Sequence, residues 1–174
     1  IGDWSSDVCS SDLARLPAYE RRILPAPQFI VLPDVVGDGE ASLALSAAFL
    51  DGDEAPEDGY PPDVPLYLVV QDGMTEGHVV GFLARYMGHG VTGLFVGGTM
   101  PWKLATAATW CAWGRHLGIP VHIGRAMSME RLAWAERIGA ASVDGNAVNW
   151  SIEAAERVER ALSNPQRELF SDGR

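Results

Sequence analysis

Five short runs of apolar, β-branched residues alternate with segments of helical period along this chain, and that alternation constrains the fold more than any other feature. The runs are "FIVLPDVV" (29–36), "LYLVVQDG" (66–73), "GLFVGGT" (93–99), "VHIGRA" (121–126) and "ASVDG" (141–145). Nearly continuous apolar runs of this length suit parallel strands covered on both faces, because a half-exposed strand would alternate polar and apolar positions. Between and after them lie "EASLALSAAFL", "EGHVVGFLARYMGH", "PWKLATAATWCAWGRHLG", "SMERLAWAERIG" and "SIEAAERVERALS". Their apolar residues recur at three and four, the period of an amphipathic helix. Pro101 is placed near a helix start, and Gly118 and Gly139 stand where helices end.

Strand and helix in strict alternation mean an α/β architecture, either a doubly wound sheet or part of a (β/α)8 barrel. A doubly wound sheet gathers its ligand groups at one switch point, whereas a barrel draws them from the C-terminal ends of many strands. All five runs here end in polar or glycine residues: Asp34, Gln71 with Asp72, Gly97 with Gly98, His122 with Arg125, and Asp144. The expectation is therefore a partial (β/α)8 barrel over residues 14–165, with a five-stranded doubly wound sheet as the alternative. A complete barrel takes roughly 250 residues, so five units read as its C-terminal five-eighths.

Three segments fall outside that scheme. Ile1 to Leu13, "IGDWSSDVCSSDL", lacks an apolar period and resembles translated sequencing adapter, so it is excluded from the fold. The acidic, proline-rich "DGDEAPEDGYPPDVP" reads as a loop, and residues 166–174 as a tail.

With 174 residues, 47% of them hydrophobic, the chain is large enough to bury a core as one domain. No apolar run is long enough to span a bilayer. Of the two cysteines, Cys9 lies in the leader and Cys111 in a helical segment, which leaves no disulfide or cysteine-rich metal site and fits a reducing cytoplasm. The net charge of −10 is concentrated in the leader and the acidic loop. Residues 81–174 hold ten Lys or Arg against eight Asp or Glu, a balance of +2, so a polyanionic partner is not excluded.

The chemistry-bearing positions each have a bland and a sharp reading. Asp144, in "AASVDGNAVNW", is followed by glycine, and Asp-Gly is a strong turn dipeptide that needs no chemistry. Asp34 in "LPDVV" can begin a turn, and Asp72 suits an N-cap for the helix beginning near "MTEGHVV". His122 reads as a hydrogen-bonded core histidine, and Arg125 as a phosphate contact or a surface ion pair. Gly97, Gly98 and Thr99 form a plausible phosphate loop, with Asp144 as acid or base, in a barrel enzyme acting on a small metabolite. Taken together, an acid, an amide, two glycines and a second acid at convergent strand ends also suit guanine. Its N1–H and N2 amino groups would donate to Asp34, its O6 and N7 would accept from Gln71, and Gly97 and Gly98 would let backbone approach the ring.

The series "VLPDVVGDGEASL", "VVQDGM", "VGGTMPWKL", "HIGR" and "SVDG" resembles the tRNA-guanine transglycosylase superfamily over about Phe29 to Trp150. Within it, the likeness is greater to the phage and genomic-island branch of DNA 7-deazaguanine transglycosylases. The resemblance implies that guanine in DNA or tRNA is replaced by a 7-deazaguanine base, with no cofactor. It further implies that Asp34 and Gln71 hold the base edge, Gly97 and Gly98 supply backbone contacts near O6, and Asp144 is the nucleophile. A homodimer or accessory proteins are compatible with it, and a membrane partner is not expected. Two departures stand out. Nothing after Asp144 supplies the three-cysteine, one-histidine zinc site of the tRNA enzymes, and the family's second aspartate would precede Asp34. A catalytically silent barrel fragment is the remaining expectation.

Overall fold

The computed structural model describes residues 28–52, 64–126 and 128–145. The leader, most of the acidic loop, the segment after Trp150 expected to be helical and the tail lie outside those residues. Five parallel strands form one sheet: β1 (Ile30–Val31), β2 (Leu66–Val70), β3 (Val91–Val96), β4 (Val121–Ile123) and β5 (Ser142–Val143). Four helices alternate with them: α1 (Gly39–Leu50), α2 (Glu76–Tyr86), α3 (Met100–Leu117) and α4 (Met129–Ile138).

The spatial order is β1-β2-β3-β4-β5, the order of the chain. Each strand pairs with the next one in sequence, so no reversal and hence no switch point occurs among the described strands. The sheet curls as a half-barrel alternating with helices, an arrangement that fits a partial (β/α)8 barrel or a doubly wound sheet.

Alternation across the strands separates two faces. Leu66, Leu68, Val70, Leu94, Val96, Val121 and Ile123 pack with Val79, Phe82, Leu83 and Tyr86 of α2 and Ala107, Trp110 and Cys111 of α3. The intervening positions form the opposite face, where Phe29, Tyr67, Phe95 and His122 make a continuous aromatic row. Phe29 stacks on Tyr67 at 4.2 Å, His122 stacks on Phe95 at 4.9 Å, and Phe29 closes on His122 at 5.0 Å. Both faces of β2 are thus covered, and all five of its residues are buried. That double burial is why its sequence is apolar without alternation.

Helix boundaries follow local chemistry. Asp38 caps α1 by accepting from Ala41 N, Thr75 and His78 form a capping box on α2, and Ser128 caps α4 by accepting from Arg131 N. Gly118 and Gly139 end α3 and α4 with φ of 70° and 81°. The strands are shorter than the apolar runs suggest. Only Ile30–Val31 of "FIVLPDVV" is strand, because Pro33 lacks the N–H that a ladder requires. In consequence Asp34, Gln71, Asp72, Arg125 and Asp144 sit just past their strands at one end of the sheet, whereas His122 lies within β4.

Candidate functional site

Asp34 and Gln71 are brought together by the first two units. Gln71 Nε2 donates to Asp34 Oδ2, and Gly37 N donates to Gln71 Oε1 at 3.1 Å. Gln71 is 1% exposed, so its amide links the β1–α1 loop to the end of β2 inside the molecule. The expectation that this amide faces a base edge is changed, because one N–H and the carbonyl oxygen are already engaged within the chain.

Gly97 lies directly behind that amide. A Cβ on Gly97 would stand 2.7 Å from Gln71 Nε2 and 2.8 Å from Val69 Cγ1, and Gly97 N donates to Val70 O at 3.0 Å. Its contribution is therefore space for Gln71; its own N–H continues the ladder and is not presented to a ligand. Gly98, with φ +77, makes the turn into α3, and a Cβ there would meet Asp72 Oδ2 at 2.5 Å.

Asp72 has a different role from the N-cap expected of it. Thr75 caps α2, and Asp72 instead crosses to the next unit, where its Oδ2 accepts from Thr99 N at 2.7 Å and its Oδ1 from Thr99 Oγ1 at 2.5 Å. Burial pushes the Asp72 carboxyl up, but the two Thr99 bonds and the nearby Lys103 charge outweigh it and hold it below the usual range. The N-terminus of α3 is an anion-favouring position, and the chain fills it with its own carboxylate.

Asp144 occupies a second group, formed by the last two units. One carboxylate oxygen accepts from Arg125 N, and Oδ2 lies 3.5 Å from His122 Nε2. The Asp144 backbone joins the same loop, with Ala126 N donating to Asp144 O at 2.7 Å. Burial raises the Asp144 carboxyl, yet His122, the Arg125 N–H and the Lys103 charge prevail, so it titrates below the ordinary carboxylate value. The alternation expected for this strand is present: Ser142 and Asp144 both reach His122, while Val143 packs against the apolar core.

His122 is 4% exposed, stacked on Phe95, and bonded through Nδ1 to Ser142 Oγ at 2.8 Å. Its Nε2 has no hydrogen-bond partner among the described residues, since 3.5 Å is too long for a bond to Asp144. Arg125 has φ +60, a left-handed conformation that a non-glycine residue adopts at a cost of about 1 to 2 kcal/mol. In that conformation its N–H is aimed at Asp144.

Lys103 was not legible as a site residue, although its position carried a signal. It falls on the same stripe of α3 as Ala107, Trp110, Cys111 and Gly114, all buried. A lysine on a buried stripe needs a partner. Its Nζ donates to Gly124 O at 2.5 Å, and its charge is felt by both Asp144 and Asp72. Burial lowers its pKa from 10.5 to about 8, with Asp144 pulling the other way, so it remains mostly a cation at neutral pH.

Fold and site together define an α/β half-barrel whose strand ends carry a half-buried acid bonded to a buried amide, and an ionised acid near a buried lysine. No protein-family model matches the chain, and no curated protein matches it. Among solved structures it is similar to a "GsuK channel bound to NAD", at 21% identity and a TM-score of 0.34, over 94% of this chain and 28% of that one. Among the described residues, no helix is long and apolar enough to cross a membrane, and no group of three or more His, Cys, Asp or Glu is placed to hold a metal ion.

Proposed function

We propose that the protein is a base-exchange transglycosylase that replaces guanine in a nucleic acid with a 7-deazaguanine. The observation that carries this reading is Asp144: a carboxylate held ionised at the end of β5, on the same end of the sheet as the Asp34–Gln71 pair. In this reading Asp34 accepts from the N1–H and N2 amino groups of guanine, and Gln71 holds Asp34 in place. Asp144 attacks C1′ of the nucleotide; the C1′–N9 bond breaks and its electron pair leaves with guanine, which takes up a proton. The incoming 7-deazaguanine then loses its N9 proton and attacks C1′, expelling Asp144. Two inversions retain the configuration, as in a retaining glycosidase. Within a duplex the target nucleotide would first leave the stack.

The rival reading, a phosphate held at Gly97, Gly98 and Thr99, is disfavoured by Asp72. A phosphate there would compete with a carboxylate already bonded to Thr99 N and Oγ1. The test is incubation of the purified chain with guanine-containing DNA or tRNA, followed by denaturing electrophoresis. A shifted band in wild type that Asp144→Asn lacks is expected, and the polymer giving the band identifies the substrate. Absence of a band with both polymers, together with guanine binding that Asp34→Asn leaves unchanged, would overturn the proposal.

A further inference from the structure

Lys103 sits in the first turn of α3, 2% exposed, and reaches across to the β4–α4 loop. Its Nζ binds the carbonyl of Gly124, the residue immediately before the left-handed Arg125 whose N–H is aimed at Asp144. A left-handed arginine does not persist without restraint. Here the restraint has two ends, Lys103 on the residue before and Asp144 on the N–H itself. Gly124 must be glycine for the loop to lie this close, since a Cβ there would stand 2.6 Å from the Phe95 ring.

We infer that Lys103 is a positioning residue for Asp144: it clamps the Gly124–Arg125 turn in the conformation that directs the Arg125 N–H at the carboxylate. This rests on the reading of Asp144 as the nucleophile only for its catalytic consequence; the structural link stands apart from it. The charged groups facing Lys103 are Asp144 from the end of β5, Asp72 from the end of β2, Arg125 from the β4–α4 loop and Arg131 from α4. Those facing Asp144 are His122 from β4, the Arg125 N–H and Lys103. Burial and, after it, the two arginines weaken the lysine cation, while the two acids strengthen it. A neutral side chain of similar length at 103 would remove the charge and the Gly124 bond together, whereas arginine would keep the charge.

The experiment is carbon-detected NMR titration of the Asp144 carboxyl in wild type, Lys103→Met and Lys103→Arg, alongside the rate of adduct formation. Lys103→Met is expected to raise the Asp144 midpoint and to slow adduct formation about tenfold, with guanine affinity unchanged. Lys103→Arg is expected to restore most of the midpoint. Should the methionine variant not fold, hydrogen exchange of the wild-type Arg125 amide decides: strong protection supports the clamped turn, and exchange at the rate of an open loop overturns it. An Asp144 midpoint unmoved in a folded Lys103→Met protein also overturns the inference. Shifted midpoints without any adduct in wild type would instead count against the proposed reaction and leave the positioning role standing.

Discussion

Gln71 Nε2 donates to Asp34 Oδ2 across the boundary between the first two strand–helix units, and Gly37 N returns a bond to the same amide. Two backbone segments, the β1–α1 loop and the end of β2, therefore depend on one buried amide.

Gln71→Met should remove that link. Half-buried Asp34 would lose the amide and the exposed Gly37 N–H its acceptor, at a net cost of about 0.5 to 1.5 kcal/mol for each bond lost. Urea denaturation of the variant at neutral pH should show a lower midpoint with an unchanged slope. A midpoint equal to wild type would mean that water replaces the amide at both partners.

Gly97→Ala tests the space behind the amide. The added Cβ would press on Gln71 Nε2 and Val69 Cγ1 at under 3 Å, neither of which can retreat from a packed strand end. Overpacking of this kind costs about 1 to 3 kcal/mol. Gly81→Ala is the control, since a Cβ on that helical glycine meets nothing within 4 Å. There, alanine should stabilise by about 0.5 to 1 kcal/mol through helix propensity. The two variants should move the melting temperature in opposite directions.

Arg125 tests the strained turn. With φ +60, Arg125→Val should destabilise by about 1 to 2 kcal/mol more than Arg125→Gly, because a β-branched side chain crowds the left-handed conformation and glycine does not. Equal melting temperatures for the two variants would show that the turn does not hold this conformation in solution.

The pH dependence of stability has a defined sign at two groups. The Asp144 pKa is lowered on folding, so its contribution is present above its unfolded value of about 3.9 and is lost as pH falls through the folded value. Asp144→Asn should therefore flatten the acid limb of a stability–pH curve. Lys103 is lowered from 10.5 to about 8, so its charged form penalises the folded state below about 8, and that penalty fades as pH rises towards 10.5. Lys103→Met should flatten this alkaline rise. An acid limb identical in Asp144→Asn and wild type would remove Asp144 from the groups that stabilise the fold.

The sequence by itself determined the class of fold. Double burial of a parallel sheet imposes apolar runs without alternation, and the 3.6-residue period marks the helices between them, so both signals are local and survive in one dimension. Gly118 and Gly139 end their helices as their spacing foretold, because a left-handed cap is a property of a few consecutive residues. The pairings of Asp34 with Gln71, Asp72 with Thr99, and Lys103 with Gly124 were decided only by tertiary structure. Asp72 illustrates why: its local context favours capping the helix that follows it, yet adjacent parallel strands bring Thr99, 27 residues away, within reach of both its oxygens. Lys103 was hidden for the same reason, since what makes it a site residue is a carbonyl 21 residues further along the chain. Strand order sets which loops meet, and no window along the chain contains that distance.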